Sequence, residues 1–128
     1  MSIAAAPASP SVLLHLGLGS FHRAHQAVYL QQLIDAGDAR WSFSGGNLRP
    51  DTTELLSALQ AQGGRYTLET VSPAGEYRYQ RIEAIREVLA FEPTLASLIA
   101  RGAHAATRVL SFTVTEAGYY LDLHDKLD

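Results

Sequence analysis

The chain has 128 residues, enough for one domain with a single core and too few for two comfortable ones. Hydrophobic residues make up 47% and the formal net charge is −3, with nine arginines and one lysine scattered so that no basic stripe points to nucleic acid or an anionic membrane. Cysteine is absent, which excludes disulfides, thiolate metal sites and a cysteine nucleophile, and an intracellular, cytoplasmic protein is the natural expectation.

The opening residues 1–11, MSIAAAPASPS, lack the basic region and long apolar run of a secretory signal, and their Ala, Pro and Ser content predicts a flexible leader. No apolar run approaches the roughly 20 residues needed to span a bilayer, so a soluble protein is expected. Residues 12–16, VLLHL, form a short apolar run ending at Gly17, as a buried parallel strand does. Ser20 is placed to cap one helix, whose apolar stripe is Ala24, Ala27, Val28, Leu30, Leu33 and Ile34 and whose end is Gly37. Residues 41–44 read as a second strand running into a Gly45-Gly46 turn. A second helix follows, with Asp51 and Glu54 at capping-box spacing, Leu55, Leu56 and Leu59 facing inward, and Gly63-Gly64 as its stop.

Strand, helix, strand, helix is the beginning of a βαβ fold. Residues 65–71 and 77–82 then read as a hairpin around Ser72-Pro73-Ala74-Gly75, which departs from simple alternation. A helix over 94–101, stopped by Gly102, leads to a strand over 108–114. After that comes TEAGYY, with no finishing element in the pattern, so the sheet reads as unfinished.

The stretch LLHLGLGSFHRAHQAVYLQQLIDAG, residues 13–37, carries the chemistry. In a strand–Gly-x-Gly–helix unit Gly17 permits the tight turn, Gly19 lets backbone approach a pyrophosphate, and the helix start offers free N–H groups. The third glycine of the dinucleotide fingerprint is replaced by His22, so the motif alone leaves an ordinary βα turn open. His22 and His25 stand three apart on a helix, near one another, and with His15 offer a three-nitrogen metal site as an alternative; no carboxylate accompanies them locally. His22 and Arg23, at the first turn, are better placed for an anionic ligand. No acid ends the second strand. The nearest, Asp51, reads as a helix cap or as a partner for a ribose, while Arg49 is the kind of residue that pairs with a 2′-phosphate. Thr113, Thr115 and Glu116 sit at the C-terminal end of a parallel strand, where open α/β sheets bind ligands.

Taken in order, HLGLGSFHRAHQAVYL, SGGNLRP, AQGGRYTLETVSPAGEYRY and LSFTVTEAGYYLD resemble the N-terminal part of the long-chain polyol dehydrogenases, the mannitol dehydrogenase family. A histidine at the third-glycine position is that family's own form of the turn. The resemblance implies an α/β fold: an incomplete Rossmann-like, mainly parallel sheet with flanking helices and a hairpin insertion over 12–128. A helical catalytic domain would follow and is absent from this chain. It implies reversible oxidation of a polyol's secondary alcohol with NAD, D-arabinitol to D-xylulose or, alternatively, mannitol to fructose. NAD is expected ahead of NADP. Gly17, Gly19, Ser20, Phe21, His22, Arg23, Asp51, Thr115 and Glu116 would bind the cofactor, and no metal is implied.

Ala117 stands where a glycine is frequent in the family, a mild departure in the loop. The family's Lys-x-x-x-x-Asn-x-x-His catalytic motif cannot be present, since Lys126 and Asn47 are the only lysine and asparagine. The chain is therefore expected to be inactive alone and, with sheet edges and apolar surface exposed, prone to self-association. A free-standing nucleotide-binding or regulatory module is the competing reading.

Overall fold

A computed structural model describes residues 9–114 and residue 124. The first half comprises β1 (Ser11–Leu16), α1 (Ser20–Ala24), α2 (Gln26–Asp35), β2 (Trp41–Gly46) and α3 (Thr53–Ala61), with a 3-10 turn at Pro50–Thr52 before α3. The second half comprises β3 (Tyr66–Val71), β4 (Tyr77–Ile82), β5 (Ile85–Leu89), α4 (Ala96–Ala103) and β6 (Thr107–Phe112).

Four strands form one parallel sheet in the order β5-β2-β1-β6, and β3 and β4 pair antiparallel as a separate ribbon. β1 therefore sits inside the sheet, with the chain crossing to β2 on one side and, later, to β6 on the other. That reversal is the topological switch point at which open α/β sheets hold ligands. β1 and β2 pair without interruption, from Ser11 opposite Trp41 to Leu16 opposite Gly46. The β1–β6 ladder slips once, between Val12 and Leu13, and resumes with Leu13 opposite Val109.

A core of Leu18, Leu30, Phe43, Leu59, Ile82 and Ile85, among others, is buried between the sheet, α2, α3 and the base of the ribbon. Each such side chain contributes roughly 1.5–3 kcal/mol relative to an exposed one. Two polar contacts fasten the ribbon to this body. The Tyr66 hydroxyl donates to the Arg23 carbonyl at 2.5 Å, and the Glu83 amide donates to Oε1 of buried Gln31 at 2.6 Å. Gln31 also donates to Asp35 at 2.9 Å, which satisfies a carboxamide that would be costly to bury unpaired.

Several expectations are corrected. β1 begins at Ser11, one residue inside the expected leader. The single first helix is two, broken at His25 (φ −125°, ψ −82°), and Ser20 is its first helical residue rather than its cap; Gly19 holds the cap position, with no side-chain hydrogen bond there. Leu33 is exposed, and Gln31 takes its place on the inner face. Gly45 and Gly46 are buried strand residues, not a turn. Their bareness makes room, because a Cβ on Gly45 would run into the Leu18 side chain. Asp51 lies inside the 3-10 turn and caps nothing: neither that turn nor α3 has a side-chain cap. Pro50, two residues before Thr52, sets that turn ahead of the helix. α4 starts at Ala96, after Leu95 turns left-handed (φ 56°), and runs through Gly102 instead of stopping there. β5 had no counterpart in the expected elements at all.

Candidate functional site

The turn that leaves β1 is braced from three sides. Gly17 adopts φ 113°, a conformation only glycine holds comfortably, and its amide donates to the Gly46 carbonyl at 2.8 Å. Leu18 is fully buried, and its amide donates to Asn47 Oδ1 at 2.8 Å. The Asn47 Nδ2 donates in turn to Thr52 Oγ1, linking the 17–19 turn to the 3-10 turn that carries Asp51. The Arg23 guanidinium closes the third side, its Nε donating to the Leu18 carbonyl at 3.2 Å.

Gly19 differs from Gly17. Its backbone is ordinary (φ −75°, ψ −179°), and a Cβ there would meet no atom within 4 Å. Nothing in the fold requires a glycine at 19. A bare backbone facing open space, at the start of a helix, is what a ligand needs if it is to reach the main chain.

At the third position of the turn His22 is buried at 1% exposure, and it solves a packing problem in its own way. Its ring stacks on that of His15, centroids 4.0 Å apart and planes 14° off parallel, and meets Phe43 edge-on at 4.6 Å. Where the fingerprint's glycine lets helix and strand touch, an imidazole fills the gap. Both His22 nitrogens and Gln26 Oε1 are buried without a hydrogen-bond partner among the described residues. Burial above all, then the neighbouring His15, hold the His22 pKa down to about 3, so the ring is neutral at physiological pH. Burial lowers His15 as well. His15 shares a 2.8 Å hydrogen bond between Nδ1 and Ser111 Oγ, and its Nε2 lies 3.5 Å from Thr113 Oγ1.

His25 points elsewhere, which corrects the expectation that it neighbours His22. It is exposed, hydrogen-bonded through Nδ1 to the Phe21 carbonyl at 2.8 Å and stacked on half-exposed Phe21 at 4.4 Å. Among the described residues no three His, Cys, Asp or Glu side chains are grouped to hold a metal ion. The described part of the site thus gathers Gly17, Gly19, Ser20, Phe21, His22 and Arg23 at the end of β1, with Asp51 and Arg49 exposed beyond β2. Thr115 and Glu116 lie outside the described residues. Asn47, Ser111 and the hydrogen bond between His15 and Ser111 were missed in the sequence. The available signal was an asparagine directly after a buried strand, in register with the glycine turn.

Residues 11–127 match the family described as the Mannitol dehydrogenase Rossmann domain. The chain belongs to that family. It is 54% identical to a D-arabinitol 4-dehydrogenase of Klebsiella pneumoniae over 115 residues, covering 90% of this chain and 25% of that protein. It is also 54% identical to a D-arabinitol 4-dehydrogenase of Ralstonia nicotianae over 130 residues, covering 99% of this chain and 27% of that protein. A solved ternary complex of Pseudomonas fluorescens mannitol 2-dehydrogenase with NAD and D-mannitol superposes with TM-score 0.78 at 32% identity, over 89% of this chain and 23% of that one. The chain spans about a quarter of the length of the curated relatives it matches. The fold is accordingly a Rossmann-like, mainly parallel sheet with flanking helices, carrying a separate antiparallel hairpin.

Proposed function

We propose that the chain is the dinucleotide-binding portion of a cytoplasmic polyol dehydrogenase that oxidises D-arabinitol to D-xylulose with NAD. The observation that carries this reading is Gly19, a glycine with unstrained backbone and open space where its side chain would be. The positive φ of the turn explains Gly17, whereas Gly19, a helix-cap residue with ordinary backbone and open space around it, leaves room for a ligand to reach the main chain. The two D-arabinitol 4-dehydrogenases support the choice of polyol, and the neighbouring structure with NAD supports the nicotinamide cofactor.

On this reading the 17–19 turn and the first N–H groups of α1, at Ser20 and Phe21, take the pyrophosphate, where backbone donors and the positive end of a helix stabilise negative charge. His22 and Arg23 back that turn: His22 as a neutral spacer and Arg23 as its clasp on the Leu18 carbonyl. Asp51, held near the turn through Thr52 and Asn47, accepts from the ribose hydroxyls, and its charge repels a 2′-phosphate, so NAD is preferred to NADP even with Arg49 close by. The family resemblance assigns Thr115 and Glu116 to the nicotinamide end. Bound NAD supplies the hydride acceptor; the protein's part in this chain is to bind and orient it. The groups that handle the alcohol proton belong to a following helical domain, and the chain alone is inactive.

Gly19→Val tests the proposal. The first side-chain carbon meets no atom of the free fold, so the thermal midpoint should fall only slightly, by the cost of a poorer helix cap, while saturable NADH binding, followed by nicotinamide fluorescence, should be lost. Equal NADH binding by both proteins would contradict it.

A further inference from the structure

We infer that the stacked pair His15–His22 is a positioning device: it pins the C-terminal end of β6 to the 17–19 turn and so sets the spacing between the two halves of a bound dinucleotide. The inference rests on the dinucleotide reading above and adds a role for residues that touch no ligand.

Four observations lead to it. First, the β1–β6 ladder is irregular, with Arg108 passed over where Val12 pairs with Thr107 and Leu13 with Val109. Beyond the slip the ladder runs regularly and sets Ser111 opposite His15, where side chains can hold the resumed register. Second, the side chains that fix it are directional. His15 faces its ladder partner Ser111 at 2.8 Å through Nδ1, and the next residue on that face, Thr113, lies 3.5 Å from Nε2. Third, the face of the His15 ring is covered by His22 from α1, so the same ring touches both the helix that follows the turn and the end of β6. Fourth, filling space alone does not account for the residue types. Two polar rings are buried at 1% exposure, and the nitrogens of one make no close hydrogen bond among the described residues, where Phe or Leu would pack at lower cost.

The location gives the pin its consequence. A dinucleotide in an open α/β sheet lies across the switch point, one half against the first βαβ unit and the other against the unit beyond. Here those units meet between β1 and β6. The adenosine half depends on the turn and the end of β2, whereas the nicotinamide half depends on where β6 ends. Loosening the pin leaves the first contact set intact and blurs the second.

The test uses the purified 128-residue chain and compares ADP, which carries only the adenosine half, with NADH. His15→Phe keeps a stacked ring but loses both hydroxyl contacts, and Ser111→Ala removes the shorter one. Both should weaken NADH binding by about tenfold while ADP affinity stays within about twofold. His15→Asn retains a polar atom at the Nδ1 position but loses the ring under His22, and should recover the NADH affinity only in part. Parallel loss of ADP and NADH, or loss of neither, would overturn the inference. If the unsubstituted chain binds neither ligand, the reading that these residues form a dinucleotide site on their own fails. The pin is then decided by amide hydrogen exchange at residues 111–113, which must quicken by about tenfold in both His15→Phe and Ser111→Ala for it to survive.

Discussion

The Leu18 amide donates to the Asn47 side chain across 2.8 Å, so the turn that ends β1 is held by the residue that follows β2. Asn47→Ala leaves that buried donor unpaired and also frees Thr52. A cost of about 1–3 kcal/mol is expected, seen as a lower midpoint in urea unfolding. Asn47→Asp keeps an acceptor for Leu18 and should lose less. Equal midpoints for the alanine variant and the unsubstituted chain would show that the brace is dispensable.

Gly45 and Leu18 form a second such relationship. A Cβ at 45 would come within 3.0 Å of the His15 carbonyl and press more closely still on the Leu18 side chain. Gly45→Ala should destabilise by about 1–3 kcal/mol through overpacking. Shortening the obstacle removes most of that clash, so Gly45→Ala is expected to cost less in a Leu18→Ala background than alone. A double-mutant cycle reads the difference, and simple additivity would mean that the two residues do not interact.

The His15–His22 stack makes stability depend on pH. An unfolded chain protonates these histidines near pH 6.5, whereas folded His22 resists protonation until about pH 3. The unfolded state therefore binds more protons between those values, and stability falls as pH drops through them. For His22 alone the loss reaches on the order of 3–5 kcal/mol at the acid end, with His15 adding in the same direction. His22→Phe should flatten the slope between about pH 7 and about pH 4.5, with little loss at the upper end. Unfolding curves whose midpoints show the same pH slope in both proteins would refute the assignment.

β6 is an edge strand among the described residues, and its Leu110 and Phe112 are 56% and 62% exposed. Open edges bearing apolar side chains pair with other chains. Sedimentation velocity should show concentration-dependent self-association, reduced in Phe112→Ser. A monomer at every concentration would count against it.

How far the sequence could be read follows from how local each cause is. The run before Gly17, the hairpin around its Ser-Pro-Ala-Gly turn and the Leu56/Leu59 face of α3 are local patterns, and each is present in the structure. β5 was not legible. Only Ile85 and Val88 are buried in IREVL, Arg86 faces solvent, and Glu87 is held by Arg101 of α4 at 2.6 and 2.7 Å, so neither a continuous apolar run nor clean alternation marks it. Gly45-Gly46 read as a turn because a pair of glycines is usually one; the reason for them, the space taken by Leu18 and by Leu89 of β5, lies far away in sequence. His22 carried the right position in the turn but not its partner, since nothing local foretells that a strand histidine seven residues earlier will lie under it.

The most direct measurement is a fluorescence titration of the 128-residue chain with NADH and, separately, with NADPH. Saturable binding of NADH, tighter than that of NADPH, is expected if Gly19 opens the backbone to the pyrophosphate and Asp51 repels a 2′-phosphate, as proposed. Absence of saturable binding for both would contradict the claim that these residues form a dinucleotide site on their own, and tighter NADPH binding would contradict the role given to Asp51.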